Sequence, residues 1–142
     1  MCCDDEKLPP IIPFTRRILV AAAALYDADG RVLISEHIKP RWRGYWEFPG
    51  GLIEENEVPE LTVIRELKEE LGITVCRGCL QPITFASYVY EELGHMLMAL
   101  YAVRKWEGTP TSLEGKKLAW VKPNELKDWN LLPADIPLIS YL

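Results

Sequence analysis

The sequence predicts a single α/β domain in which a mixed sheet is accompanied by few helices. Its 142 residues are the size of one ordinary domain. The apolar fraction of 49% and the charged fraction of 26% are typical of globular proteins. Several short β-like stretches surround one strongly amphipathic helical pattern, so strands and helix are expected to share one core.

The amino-terminal residues 1–14 are predicted to be a flexible lead-in. Pro9, Pro10 and Pro13 fall in this segment, and clustered prolines disfavour both a helix and a central strand. The folded domain is therefore expected to occupy residues 15–142.

A β-hairpin is predicted at the start of the domain. Its first strand is expected over residues 18–26 and its second over residues 31–34, since both stretches are apolar and bounded by turn residues. The sequence Asp27-Ala28-Asp29-Gly30 between them is typical of a tight turn. Residues 40–51, which are rich in aromatic residues, proline and glycine, are expected to form an irregular loop that leads into a helix.

One helix is predicted over residues 58–71. Pro59 suits the first turn of a helix, and Gly72 suits the position just past the last turn. At 100° per residue, one arc is apolar and should pack on the sheet, and the opposite arc is charged. The apolar arc consists of Leu61, Ile64, Leu67 and Leu71, and the charged arc consists of Arg65, Glu66, Glu69 and Glu70.

The second half of the chain predicts further strands and short helical turns. Turn signals at Gly94 and at Gly108 separate the β-like stretches. The strands are expected over residues 74–83, 85–91, 96–106 and 118–121, and the helical turns over residues 123–127 and 133–140.

The charge distribution excludes a general duplex-binding surface. The net charge is −5, whereas affinity for a phosphate backbone comes from clustered lysine and arginine. Residues 54–70 carry seven acidic and two basic residues, so the whole excess lies in this segment. We therefore expect no nucleic-acid polymer as a partner, and a substrate with phosphates would require a cation.

Neither a membrane segment nor a secretory signal is predicted. The longest apolar stretch, residues 18–25, is far shorter than the roughly 20 residues that span a bilayer. The amino terminus is acidic where a secretory signal would be basic and then apolar, so a cytoplasmic location without a membrane partner is expected. Cys76 and Cys79 form a CxxC pattern, but adjacent Cys2 and Cys3 are a poor second pair for zinc, so free thiols are expected.

Three carboxylates on the predicted helix suggest a metal site. Glu66, Glu69 and Glu70 emerge from neighbouring points of one surface, where like charges destabilise each other. They could form a solvated helix face. The preceding Gly50-Gly51 loop, however, would bring backbone carbonyls near the same helix, and such oxygen ligands suit magnesium or manganese. Magnesium prefers phosphates as co-ligands, so the interpretation implies a polyphosphate substrate.

The same residues resemble the Nudix family. Gly51, Glu57 and the run Arg65-Glu66-Leu67-Lys68-Glu69-Glu70-Leu71-Gly72-Ile73 match every fixed position of the Nudix box. Beyond the box, Trp46-Glu47-Phe48-Pro49-Gly50-Gly51, Glu114-Gly115 and Pro133-Ala134-Asp135-Ile136-Pro137 are similar to the MutT-like branch. The resemblance covers nearly the whole chain from Ile18.

This resemblance implies an α/β/α sandwich around a mixed sheet and hydrolysis of a nucleoside triphosphate to the monophosphate and diphosphate. By position, Mg²⁺, or Mn²⁺ as the alternative, would be held by the Gly50 carbonyl and the box glutamates, with Arg65 orienting one of them. The implied metal ligands are Gly50, Glu66, Glu69, Glu70 and Glu114. Either Glu66 or Glu114 could act as the general base, and Arg65 and Glu69 complete the candidate catalytic set.

The candidate substrate-binding residues are His37, Phe48, Gly51 and Asp135. Phe48, Trp46 and residues 132–136 could form a flat slot for a base. His37 stands where relatives usually have arginine. Asp135 stands where MutT-like enzymes that remove oxidised dGTP commonly have asparagine, and where similar CTP pyrophosphohydrolases also have aspartate.

The resemblance thus leaves several functions open. Hydrolysis of 8-oxo-dGTP is the first expectation, and CTP or a modified dCTP is the alternative. Tyr90, 17 residues beyond the box, is reminiscent of dinucleoside polyphosphate hydrolases. A catalytically idle nucleotide sensor is a further alternative, although such domains tend to lose box glutamates and none is lost here.

Overall fold

The computed structural model describes residues 13–142, so most of the predicted lead-in lies outside the described residues. The described chain contains seven strands, one α-helix and four 3₁₀ helices. The strands are β1 (Arg17–Leu25), β2 (Val32–Glu36), β3 (Trp46–Glu47), β4 (Gly50–Leu52), β5 (Leu80–Tyr90), β6 (Gly94–Val103) and β7 (Leu118–Val121). The helix α1 is Pro59–Leu71, and the 3₁₀ helices are Pro40–Trp42, Arg77–Cys79, Pro123–Asp128 and Ile136–Tyr141.

The strands form two sheets. The larger sheet has the order β4-β1-β6-β5, and the smaller sheet has the order β3-β2-β7. Strand β1 runs parallel to β6 and antiparallel to β4, whereas β5 and β6 are antiparallel. The larger sheet is therefore mixed, which confirms the predicted class of fold.

The central strand β1 is buried on both faces. Ala21, Ala23 and Leu25 belong to a core that includes Leu67 and other residues of α1. Ala22 and Ala24 belong to a second core, together with residues of β2 and the carboxyl-terminal 3₁₀ helices. Small side chains on alternate faces thus allow α1 to pack on one side and the carboxyl-terminal 3₁₀ helices on the other, while the second sheet contributes residues to both cores.

The predicted β-hairpin of the first two strands is wrong. Asp27 does form a tight turn, because its carboxylate accepts hydrogen bonds from the backbone N–H groups of Asp29 and Arg31. Beyond this turn, however, only the bridge Tyr26–Val32 joins the two strands. Strand β2 then pairs with β3 and β7 in the other sheet, because both edges of β1 are taken by β4 and β6.

Two further predictions require correction. The loop expected over residues 40–51 contains the short strands β3 and β4, which pair with β2 and β1. The two strands expected over residues 74–83 and 85–91 are largely one strand, β5, with an irregularity between Pro82 and Thr84. The helical turns expected near the carboxyl end are confirmed.

The bounds of α1 are confirmed, but its predicted faces are partly wrong. Gly72 ends the helix with φ 70°, which is the left-handed conformation that glycine favours. Val63, Leu67 and Leu71 are buried, whereas Leu61 is 45% exposed. At 100° per residue, Leu61 lies about 120° from Leu67 and Glu70 about 60° from it, so Glu70 flanks the packed face.

No helix within residues 13–142 is long and apolar enough to cross a membrane.

Candidate active site

The site begins where β4 pairs with β1. Gly50 lies opposite Ala22, and Gly51 lies opposite Ala21. A β-carbon on Gly50 would collide with the backbone of β1, and one on Gly51 would collide with the carboxylate of Glu66. Glycine at both positions therefore lets the strand lie close to β1 and lets Glu66 lie against the strand.

Arg65 connects this strand to the loop before α1. Its guanidinium donates two hydrogen bonds to Glu57, at 2.8 and 2.9 Å, and one to the carbonyl of Leu52 at 3.1 Å. It also donates to Glu66 at 2.8 Å and, more weakly, to Glu69 at 3.4 Å. Hydrogen bonds from Arg65 and then from Thr62 lower the pKa of Glu57 to about 2.

The three box glutamates of α1 differ in exposure. The side chains of Glu66 and Glu70 are 15% and 11% exposed, whereas that of Glu69 is 55% exposed. Burial raises the pKa of Glu70 to about 8, against the opposing effect of Lys116, and neighbouring carboxylates add to the rise. Burial also raises the pKa of Glu66, although Arg65 opposes it.

Lys116 lies among the carboxylates at the other side of the site. Its Nζ is 3.5 Å from Oε2 of Glu114, 3.7 Å from Oε1 of Glu47 and 3.9 Å from Oε1 of Glu70. Burial lowers the pKa of Lys116, but these carboxylates together outweigh it, so the pKa is raised. Lys116 thus links Glu114, which is 43% exposed, to the helix.

The donor chemistry of these residues fits a divalent cation. The carboxylates are hard oxygen ligands of the kind that Mg²⁺ and Mn²⁺ prefer, and two of them, those of Glu66 and Glu70, are half-buried. The missing β-carbon of Gly51 makes the room that Glu66 occupies. Within residues 13–142, however, no three carboxylate, imidazole or thiol groups converge into a ready metal cage, since Arg65 and Lys116 lie between them.

A small apolar cavity of about 180 Å³ adjoins the site. It is smaller than the roughly 300–1,000 Å³ of pockets that enclose a drug-sized ligand, so it suits one ring system. Gly50 and Gly51 line its edge nearest Glu66. The other lining residues are Val20, Ala22, Glu47, Phe48, Leu52, Tyr90, Met96, Met98, Leu132 and Asp135.

Asp135 is a buried polar residue among those that line this cavity. It is 2% exposed, and its Oδ1 accepts a hydrogen bond from the backbone N–H of Phe48 at 3.4 Å. Burial and then the charge of Glu47 raise the pKa of Asp135 well above its usual range. A buried carboxyl of this kind can hold a proton and donate it in a hydrogen bond.

Four of the predicted slot residues do not line the cavity, namely Trp46, Pro133, Ala134 and Ile136. Trp46 packs edge-to-face against Trp129 with 4.8 Å between ring centroids. Trp46 points away because it alternates with Glu47 on β3. Tyr90 does line the cavity, and its hydroxyl accepts a hydrogen bond from the backbone N–H of Ala134 at 3.1 Å.

His37 lies just past β2 and contacts Glu47. Its Nδ1 is 3.1 Å from Oε1 of Glu47, the carboxylate oxygen that also lies near Lys116. The structure therefore places His37 beside the acidic cluster. Glu47 and Lys116 were not among the candidate site residues, although Glu47 lies next to Phe48 in the motif that carries the resemblance.

The CxxC residues lie apart from this site. Cys76 is exposed, Cys79 is half-buried, and neither forms a disulfide within the described residues. Cys2 and Cys3 lie outside the described residues.

The two-sheet fold with an acidic helix beside a small cavity is that of a known protein family. The family model described as the NUDIX domain matches residues 15–142, so the chain belongs to the Nudix family of hydrolases. Its relatives place it among the MutT-like members, and Nudix hydrolases generally need divalent cations.

Among curated proteins, the chain is similar to the CTP pyrophosphohydrolase of Escherichia coli, with 32% identity over 87% of this chain and 90% of the relative. It is also similar to the 8-oxo-dGTP diphosphatase of Escherichia coli, with 39% identity over 68% of this chain and 72% of the relative. Among solved structures, it resembles the Escherichia coli ORF135 protein, with 30% identity and a TM-score of 0.77 over 89% of this chain and 88% of the other.

Proposed function

We propose that this protein is a magnesium-dependent nucleoside triphosphate pyrophosphohydrolase that acts on nucleotides with an altered base, 8-oxo-dGTP being the first candidate. The observation that carries the proposal is the adjacency of two features. The half-buried carboxylate of Glu66 lies against Gly51, and Gly51 lines the cavity that also contains Asp135. The phosphates and the base of one nucleotide would therefore be held next to each other beside strand β4.

The proposed roles follow from these positions. Glu66, Glu69, Glu70, Glu114 and the Gly50 carbonyl would hold Mg²⁺, which neutralises phosphate charge and lowers the pKa of bound water. Arg65, fixed by Glu57 and Leu52, would orient Glu66 and Glu69.

The proposed bond change is water attack at the β-phosphorus. The water oxygen bonds to that phosphorus, the bond from it to the bridging α–β oxygen breaks, and the nucleoside monophosphate leaves with that oxygen. Glu66 or Glu114 would accept the proton of the water, because each is a carboxylate of the cluster that faces the phosphates.

The base would be read by Phe48 and Asp135, with the main chain of Gly51 and the side chain of His37 near the phosphates. Phe48 offers an apolar surface, and Asp135, with its raised pKa, offers a donor as well as an acceptor. A protonated Asp135 could thus replace asparagine in reading a base that bears an acceptor.

Hydrolysis of CTP or of a modified dCTP is the second candidate. The Escherichia coli CTP pyrophosphohydrolase matches this chain over more of its length than the 8-oxo-dGTP diphosphatase of the same organism does. Aspartate at position 135 is also the residue that such enzymes carry in this segment.

A substrate panel tests the proposal. The protein is incubated with Mg²⁺ and with dGTP, 8-oxo-dGTP, CTP, dCTP and 5-substituted dCTP, and kcat/KM is compared because specificity is a ratio between competitors. We expect diphosphate as product and the highest kcat/KM for 8-oxo-dGTP. A highest value for a cytosine nucleotide would favour the second candidate, and release of orthophosphate alone would contradict the proposed bond change.

A variant of Glu70 tests the metal assignment. Glu70→Gln should lower kcat by at least about 100-fold, since it removes a carboxylate from the proposed metal site, while the folding stability stays nearly unchanged. Glu55→Gln, an exposed position of the same acidic segment, is the matched control and should retain activity. Normal turnover by Glu70→Gln would show that the assignment is wrong.

A further inference from the structure

Lys116 occupies an unusual position for a lysine. Its side chain is 15% exposed, whereas that of the adjacent Lys117 is 79% exposed. Long charged side chains are seldom buried to this degree without partners, because burying the ammonium is costly. Its environment must therefore offset that cost.

The partners come from three separate segments of the chain. Nζ lies between Glu47 of β3, Glu70 of α1 and Glu114 of the loop before β7, at 3.7, 3.9 and 3.5 Å. These distances exceed those of a direct charge-assisted hydrogen bond, about 2.7–2.9 Å. The ammonium is therefore a point charge shared by three carboxylates rather than the partner of one.

Two of these three carboxylates belong to the proposed metal site. The inference below therefore rests on the proposed function. A divalent cation and an ammonium group attract the same oxygens of Glu70 and Glu114, and two cations at one cluster repel each other. Binding of one must weaken binding of the other.

We propose that Lys116 is a cation supplied by the chain that competes with the divalent metal for Glu70 and Glu114 and thereby sets the metal affinity of the enzyme. Before metal binds, the ammonium offsets the repulsion among carboxylates from three segments. Metal binding displaces the ammonium of Lys116 from these oxygens. The positive charge of Lys116 therefore raises the metal concentration at which the site becomes occupied.

Direct metal binding tests this proposal without substrate. Binding of Mn²⁺ is followed by the electron paramagnetic resonance signal of the free ion, for the full chain and its variants. Lys116→Met should bind Mn²⁺ on the order of tenfold more tightly, because it removes one positive charge beside the ligands. Lys116→Gln, a second neutral variant with a polar head, should shift in the same direction.

Two controls isolate the effect of position. Lys117→Met removes the same charge from the neighbouring, exposed residue, which pairs with Glu36, and should leave the Mn²⁺ affinity within about twofold of wild type. Lys116→Arg keeps the charge and should also remain near wild type. In EDTA, Lys116→Met should have a lower Tm than Lys117→Met, and saturating Mn²⁺ should narrow that gap.

The outcomes separate this inference from the proposed function. Equal or weaker Mn²⁺ binding by Lys116→Met and Lys116→Gln, relative to Lys117→Met, would overturn the role of Lys116 and leave a hydrolase with an intact metal site. Failure of all the proteins, including wild type, to bind Mn²⁺ would overturn the metal assignment and this inference with it.

Discussion

Both oxygens of the Glu57 carboxylate accept hydrogen bonds from the guanidinium of Arg65, and the stabilising effect of this pairing depends on pH. With the pKa of Glu57 lowered from 4.5 to about 2 in the folded state, the ionised group stabilises the fold above pH 4.5. That contribution is lost as the pH falls from 4.5 towards 2, because the folded state then also binds the proton. We expect Glu57→Gln to be less stable than wild type at pH 7.

Urea unfolding at pH 7, 5 and 3 measures the difference in the free energy of unfolding between Glu57→Gln and wild type. This difference should be constant from pH 7 to 5 and smaller at pH 3. The exposed Glu55→Gln controls for loss of one negative charge from the same segment. A difference between Glu57→Gln and wild type that is independent of pH would show that Glu57 acts through its shape rather than its charge.

The contribution of Asp135 to stability should depend on pH in the opposite direction. Its pKa in the folded state is raised from 3.8 by burial and by Glu47, so wild type loses stability as the pH rises above 3.8, where the unfolded chain ionises first. Asp135→Asn has no carboxyl group at this position and therefore does not lose stability in this way as the pH rises. Its amide oxygen can still accept the hydrogen bond from the backbone N–H of Phe48.

Thermal unfolding between pH 3 and 8 tests this prediction. The Tm of Asp135→Asn relative to wild type should rise with pH, whereas the exposed Asp128→Asn controls for loss of a carboxylate near the same end of the chain. Parallel pH profiles for Asp135→Asn and wild type would mean that Asp135 is ionised in the folded protein.

Individual residues of the site were predictable where a motif contains them and not where packing brings them in. Glu66, Glu69 and Glu70 share one helical surface by spacing alone. Lys116 lies far along the chain from Glu70 and joins it because the loop before β7 docks on the end of α1, where Leu113 N–H donates to the Glu70 carbonyl. Nothing in the local sequence encodes that contact.

At the level of elements, the contact between β4 and α1 depends on a missing side chain. Gly51→Ala would place a methyl group on the Glu66 carboxylate, so either the carboxylate or the strand must move. We expect a fall in kcat of at least about tenfold, since small misplacement of catalytic groups is costly, together with a lower Tm.

Gly78→Ala is the matched control, because nothing lies within 4 Å of its added β-carbon and its backbone suits any residue. Activity and Tm are measured for both variants. Wild-type kcat in Gly51→Ala would show that the position of Glu66 against β4 does not matter for turnover.

The helix and the first turn illustrate what local sequence can and cannot specify. Pro59 and Gly72 mark the ends of α1 by their backbone preferences, so its bounds were predictable. The Asp27 turn is equally recognisable, yet it does not determine which strands pair after it. Strand β2 enters the other sheet because β6, from a distant part of the chain, takes the free edge of β1.

At the level of the whole molecule, β1 is the strand on which both cores depend. Ala23 has no exposed surface and packs in the core that contains Leu67. Ala23→Val should therefore lower the free energy of unfolding by about 1–3 kcal/mol through overpacking. Leu19→Val, at a position of the same strand that is 45% exposed, should change it by less than about 0.5 kcal/mol.

Urea unfolding followed by tryptophan fluorescence measures both variants. Wild-type stability in Ala23→Val would mean that the space beside β1 can accommodate a larger side chain. The fold class was predictable from strand and helix patterns, but the close packing on both faces of β1 follows from the arrangement of sheets, which the run of alanines alone does not specify.

The parallel pairing of β1 with β6 also governs when the molecule can fold during its synthesis. Every pair in this register joins residues 78 positions apart, from Arg17–His95 to Leu25–Val103. A ribosome must therefore release the chain beyond Val103 before β1 has this neighbour. Until then, its apolar faces depend on transient contacts or on chaperones to avoid aggregation, and the carboxylates of α1 have no completed sheet to lie against.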